Sequence, residues 1–211
     1  MIKVENIDVY GFEAAIRGMR NPMNSWKVSD SGYVEEYDEG GWSADVFKIG
    51  PKDLDLMKRL FKAGTEHRKY LRMINVTMDI TAPLYWWKEF DTYKIGTACN
   101  SCSTMHKIHA KEFTIDDFSH EQLDYTSKCM LKDIISVLNK NREIFINSKN
   151  KQYWWNMIQL LPSSYNQKRT VQLSYETVFN IIKQREHHKL DEWIKFTDIL
   201  KDLPYVRELM Q

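Results

Sequence analysis

Cys99, Cys102, His106 and His109 place four soft or borderline metal ligands inside eleven positions. Thiolate and imidazole in such numbers raise zinc or redox chemistry. Only three residues separate the cysteine pair from the histidine pair, whereas zinc fingers use a longer element so that both pairs converge on one tetrahedron. Small reduced residues near a turn are the plainer reading, and no metal site is assigned. A second cluster, Glu66-His67-Arg68-Lys69 with Arg72, gathers cations just after Gly64. On a helical turn Arg68 and Arg72 would share a face, where two guanidinium groups can grip a phosphate. The alternative is a solvated basic face. Arg185 closes the apolar run Val178, Phe179, Ile181 and Ile182, so it could aim into a cleft at a helix end or form a surface salt bridge. His187 and His188 are neighbours, and adjacent helical residues point in different directions, so they form no clamp. The chain has no Gly-rich phosphate loop, no Ser nucleophile elbow and no His-Glu zinc helix.

The composition bounds what such residues can serve. The 211 residues are 28% charged and 43% hydrophobic, enough for one well-filled core and too ordered a composition for a disordered tail. Thirty basic residues against twenty-nine acidic leave a net charge of +1. Overall charge therefore draws the chain neither to nucleic acid nor to an anionic membrane, and an anionic ligand must be met locally. Three cysteines are too few for an oxidised framework, and the N-terminus lacks the apolar run of a signal peptide. These features point to a cytoplasmic protein. Seven tryptophans in a chain 13% aromatic suit a core, a planar ligand or a subunit interface.

The elements that must position these groups follow from periodicity and punctuation. All eight glycines lie at or before Gly96, so the second half is expected to be mostly helix. Lys3 to Tyr10 alternates like a strand, and Phe12 to Arg20 has helical spacing. Asn21 to Gly50, rich in Ser, Gly, Asp and Tyr, reads as a long irregular loop. Pro51 opens a helix with Leu54, Met57, Leu60 and Phe61 on one stripe, and Gly64 suits the residue past its end. Ile74 to Thr81 alternates as a half-buried strand, Ala82-Pro83 ends it, and Leu84 to Tyr93 follows as an aromatic helix. Ser119 is read as the cap of a helix running to about Asn139. Further helices are expected at Lys151 to Leu161, Thr170 to Gln184 and Leu190 to Leu203. The whole is α/β (α+β) in a single domain, a small sheet with a mostly helical C-terminal half.

Two blocks resemble the flavin-dependent thymidylate synthases. In Val76 to His106, VTMDITAPLYWWKEFDTYKIGTACNSCSTMH, a strand runs into Ala82-Pro83, an aromatic helix with Tyr85 and Phe90, and an Asn100-x-x-Ser103 spacing like the family's substrate loop. Leu160 to Ile194, LLPSSYNQKRTVQLSYETVFNIIKQREHHKLDEWI, is similar to its Leu-Pro stretch, long helix and final arginine. GFEAAIRGMR resembles the family's early helix. The resemblance implies the thymidylate synthase-complementing-protein fold and a homotetramer holding FAD. It also implies NADPH as reductant and methylenetetrahydrofolate as donor of a one-carbon unit, transferred to dUMP and reduced. Under it, Arg185, Ser103 and Asn100 match residues that bind the nucleotide. Asn180 matches a flavin- or nucleotide-side asparagine and is counted with His67, Arg68 and Lys94 among the cofactor contacts.

At the family's arginine-histidine-arginine signature this chain has Thr92-Tyr93-Lys94. Ser101, Met105, Ile158 and Glu176 stand where the family has a glutamate and three arginines. Each charge-assisted hydrogen bond so lost is worth roughly 1.5 to 3 kcal/mol unless Arg68, Arg72, Lys88 or Lys94 compensates. Two functions remain open: a divergent flavin enzyme acting on a deoxyuridine nucleotide, and a non-catalytic nucleotide-binding relative. In the second, Tyr85-Trp86-Trp87 fills space or stacks a base.

Overall fold

The computed structural model describes residues 2–37 and 39–211. The alternating N-terminal stretch forms strand β1 (Lys3–Tyr10), and Gly11, at φ 96°, turns the chain into helix α1 (Phe12–Arg20). Any side chain at position 11 would collide with the carbonyl oxygen of Met73, so the turn needs glycine. The expected loop at 21–50 is instead two short 3-10 turns followed by an antiparallel hairpin. Its strands are β2 (Gly32–Tyr37) and β3 (Ser43–Lys48), with Val34 opposite Val46. Most of the hairpin is exposed, so it lacks the apolar-polar alternation that a half-buried strand writes into a sequence.

Helix α2 (Pro51–Lys62) starts on Pro51 and buries Leu56 and Met57. A 3-10 turn at Lys69–Arg72 leads to β4 (Asn75–Pro83), whose residues alternate between half-buried and buried. Helix α3 (Leu84–Phe90) follows Pro83 directly, and β5 (Thr97–Ser101) comes after a short turn. Helix α4 (Tyr125–Ser148) is capped by Asp124, whose side chain accepts the amide of Ser127 at 2.7 Å. Ser119 is therefore not the cap; it is buried, and its hydroxyl donates to Asn166 Oδ1 at 2.8 Å. After α5 (Lys151–Leu160) comes β6 (Asn166–Ser174), then α6 (Tyr175–Arg185), α7 (Asp191–Lys201) and α8 (Val206–Met210). The single helix expected over Thr170 to Gln184 is thus a strand end and a helix, divided at Ser174. The main sheet has the order β1-β4-β6-β5, and the C-terminal half is helical, as the sequence predicts.

The chain gathers into two compact units, each built from several stretches. One comprises the beginning of the chain through Asn6, Met78–Lys94 and Cys99–Val171. Its core holds Trp86, Trp87 and Phe90, with a cluster of Phe113, Phe118, Leu131, Leu138 and Met157. The other comprises Ile7–Thr77, Ile95–Ala98 and Gln172–Gln211. Its core includes Met57, Leu71, Tyr175, Trp193 and Phe196. No helix among the described residues is long and apolar enough to cross a membrane.

Candidate functional site

In the unit that carries α6, backbone bonds frame a cleft. The amide of Ser174 donates to Gly96 O at 3.0 Å, and that of Tyr175 to Ile74 O at 2.9 Å. Ser174 caps α6, its hydroxyl accepting the amide of Thr177 at 3.3 Å, while Thr177 Oγ1 donates to Ile95 O at 2.8 Å. These bonds hold Ile95–Ala98 against the start of α6. Gly96 sits at φ 67°, and a Cβ there would lie 2.7 Å from Ser174 Oγ. The resulting cleft of about 560 Å³ is lined from α6 by Glu176, Thr177 and Asn180, and across from them by Thr97, Asn75 and Gln172, with Arg72 contributing a cation. That volume is in the range of a site for a ring-sized ligand.

Its polar groups are unevenly satisfied. Gln172 Nε2 donates to Asn75 Oδ1, and Asn75 Nδ2 to Met73 O, each at 3.1 Å. The Asn180 side-chain amide is half-buried and has no hydrogen-bond partner among the described residues. Arg68 Nη2 donates to Glu176 Oε1 at 3.0 Å, and the guanidinium stands 5.1 Å from the Phe61 ring centre. Their side chains are only 16% and 12% exposed, yet Arg68 Nε, Glu176 Oε2 and Thr97 Oγ1 are buried without partners among the described residues. Buried polar groups are normally paired, because leaving one unsatisfied costs about 1–3 kcal/mol. The cleft therefore offers an acceptor, a hydroxyl and a free amide to whatever enters it.

The residues singled out from sequence fall in both units. Asn180 lines the cleft and Arg68 pairs with its wall. Arg72 also reaches the cleft, but the shared helical face expected for it and Arg68 does not form, because the turn between them is 3-10. His67 is exposed, its amide donating to Gly64 O at 3.0 Å. Arg185 ends α6, its guanidinium 4.9 Å from the Trp193 ring centre, and it is not among the residues lining the cleft.

Asn100, Ser103 and Lys94 belong to the other unit and are exposed. Ser103 Oγ accepts the amides of Met105 at 3.2 Å and His106 at 2.8 Å. It borders a second cleft, of about 590 Å³, with Lys107, Lys111 and Lys168. Lys111 pairs with Asp117, and Lys168 lies 3.0 Å from Asp79. Hydrogen bonds from Thr170, Asn6 and Lys168 hold the Asp79 carboxyl at about 2, below its ordinary 3.8.

Cys99 and Cys102 are exposed free thiols, and His109 packs on Phe145 with ring centres 4.9 Å apart. Among the described residues no three His, Cys, Asp or Glu side chains gather to hold a metal. Trp86 and Trp87 are 0% and 1% exposed, so of the two roles offered for that aromatic segment they fill the core. Arg169 covers Trp87 at 4.2 Å and donates to Asp91 and Gln167. Sequence reading missed Asn75, Gln172, Thr97 and Thr177, and noted Glu176 only as a lost arginine. The polar side of the alternation at 75–81 was the available signal for Asn75.

No family model matches the chain, and no curated protein matches it in sequence. In fold it is similar to the flavin-dependent thymidylate synthase ThyX from Helicobacter pylori complexed with FAD and dUMP. That structure has a TM-score of 0.67 and 17% identity, over 97% of this chain and 96% of that one. A second structure of ThyX from Helicobacter pylori, with FAD and dUMP, gives a TM-score of 0.68 and 17% identity, over 98% of this chain and 96% of that one. The likeness spans both chains nearly end to end and is a likeness of fold.

Proposed function

We propose that this chain is a divergent flavin-dependent thymidylate synthase-like protein, binding FAD and a deoxyuridine nucleotide and transferring and reducing a one-carbon unit onto dUMP. NADPH is the proposed reductant, methylenetetrahydrofolate the donor, and a homotetramer the assembly. One observation carries the reading. On a scaffold alike end to end with proteins complexed with FAD and dUMP, the cleft beside α6 presents a free Asn180 amide and an unpartnered Glu176 oxygen.

The donor set suits a planar ring with an imide edge, in which one N–H lies between two carbonyls. Glu176 Oε2 would accept the N–H, and Asn180 Nδ2 would donate to a carbonyl. Flavin and uracil rings both have such an edge. The flavin, when bound, supplies the hydride chemistry. The chain's own residues orient and bind: Glu176 and Asn180 fix the ring, Gly96 lets its segment lie close against Ser174 and Thr177 at the start of α6, and Arg72 supplies a cation for phosphate. Arg185, Ser103 and Asn100 are proposed to hold the nucleotide, and His67, Arg68 and Lys94 to support the cofactor.

Purified protein equilibrated with FAD, passed through gel filtration and mixed with dUMP, NADPH and methylenetetrahydrofolate tests the reading. It predicts a retained yellow chromophore, bleaching by NADPH and formation of dTMP. Protein that takes up no FAD at tens of micromolar contradicts it.

A second reading, a nucleotide-binding relative without catalysis, is favoured by the Arg68–Glu176 ion pair. That pair neutralises one cation at the cleft wall and leaves Arg72 as the positive side chain lining it. It predicts dUMP binding with no flavin uptake and no product.

A further inference from the structure

A third cleft, of about 680 Å³, lies in the unit that carries α6 and shares no lining residue with the cleft beside that helix. The end of β1, the first turn of α1, the hairpin and the start of α8 surround it with five aromatic rings, those of Tyr10, Phe12, Tyr33, Phe47 and Tyr205. Phe12 and Tyr205 meet edge to face with ring centres 5.4 Å apart, and Tyr33 and Phe47 do so at 5.3 Å. Such pairs stand at an angle, which leaves ring surface turned outward. Tyr10 and Tyr33 are 43% and 61% exposed. Tyr205 occupies the left-handed region at φ 62°, where a bulky residue is an outlier. It is held there, because the Ile49 amide donates to its hydroxyl at 3.1 Å and Phe12 packs on its ring. Strain of this kind collects at ligand sites.

The charges around the rings decide what they can receive. Arg17 is held by Glu13 at 2.6 Å and Lys48 by Glu36 at 2.8 Å. The Tyr33 hydroxyl donates to the second Glu13 oxygen at 3.2 Å. That bond, with the charges of Glu13 and Asp45, raises the titration of the hydroxyl above its ordinary value, so the potential at the Tyr33 ring is negative. The Glu208 carboxylate also lines the cleft, and it makes no hydrogen bond or ion pair among the described residues. We infer that this cleft binds an organic cation with a methylated ammonium head, which rests on the aromatic rings and is drawn by Glu208. Such a head carries its charge without N–H donors and is held by ring faces. A primary ammonium brings three donors, and with both Glu13 oxygens engaged only Glu208 of the two lining carboxylates is left to accept them. An anion would meet that carboxylate while both lining cations are already paired. The inference is independent of the proposed activity, because the two clefts have no residue in common.

Calorimetric titration of the full chain with choline tests it, set against dimethylbutanol, the uncharged isostere with carbon in place of nitrogen. Choline should bind saturably at a single site per chain, about tenfold more tightly than the isostere, whether or not the protein takes up FAD. Glu208→Gln and Tyr33→Leu should each weaken choline binding about five- to tenfold, while Tyr33→Phe, which keeps the ring, should leave it near wild type. Both positions are exposed, so the melting curves of all three variants should coincide with wild type. No saturable choline binding at millimolar concentrations, equal affinity for choline and its isostere, or unchanged affinity in either Glu208→Gln or Tyr33→Leu would each overturn the proposal.

Discussion

Two arginine–carboxylate pairs in the same unit differ in how completely they are satisfied. Asp53, its side chain wholly buried, accepts Arg20 Nε at 2.5 Å and the hydroxyls of Ser29 and Ser31 at 2.7 and 2.6 Å. It also accepts the amides of Asp30 and Ser31, both at 3.0 Å. Arg20 donates in addition to Ser25 O at 3.2 Å. Glu176 and Arg68 share one bond and leave an oxygen and a nitrogen idle. The first pair ties the turn at 29–31 to α2, and neither side chain is among those with a buried atom left without a partner. The second keeps capacity at the wall of a cleft, which is where a ligand would use it.

The largest effect that could break this contrast is on stability. Asp53→Ala strands Arg20 in the interior and should cost about 3–5 kcal/mol in urea denaturation. A comparable loss from Glu176→Gln would erase the distinction.

Acid provides the next test. Burial alone would raise the Asp53 carboxyl, but hydrogen bonds from Ser31, Ser29 and Arg20 outweigh it and hold the group at about 2, against an ordinary 3.8. Because the folded state has the lower value, the stabilisation is complete above the unfolded carboxylate's range and fades as pH falls toward 2. Its size is about 2 kcal/mol, and Asp53→Asn should remove that part of the pH dependence of unfolding.

At the cleft the expected order reverses. Glu176→Gln should weaken FAD binding about tenfold in a fluorescence titration, the loss of one charge-assisted hydrogen bond, with only a small change in melting temperature. Gly96→Ala, which pushes a methyl group against Ser174 Oγ, should lower FAD affinity a few-fold by displacing Ile95–Ala98 from the start of α6; unchanged affinity would place the ligand elsewhere.

Much of the scaffold was legible because it obeys one period at a time. Pro51 and Gly64 bracket α2, and Val76, Met78 and Ile80 write β4 as a clean alternation. The hairpin at 32–48 was invisible because neither of its faces is wholly buried. Strand β6 merged with α6 because the buried series Val171, Leu173, Tyr175, Val178 and Phe179 crosses Ser174 without interruption. Asp124, the residue that starts α4, was passed over for Ser119.

The site was legible in part for a different reason. Asn180 stood out through the family resemblance, and Arg68 first through the cationic cluster that follows Gly64. The approach of Gln172 to Asn75, and of Gly96 to Ser174, depends on pairing among distant segments, which local spacing does not encode. Glu176 stood out only as a missing arginine. Its meaning changed once Arg68 was found beside it and its second oxygen was found without a partner.

The claim that the cleft beside α6 receives the ring is tested most directly by titrating FAD into wild-type protein and the Asn180→Ala variant under identical conditions, with melting curves for both. The account predicts saturable binding to wild type, affinity about tenfold lower in the variant and coincident melts. Equal affinity in the two proteins would contradict it.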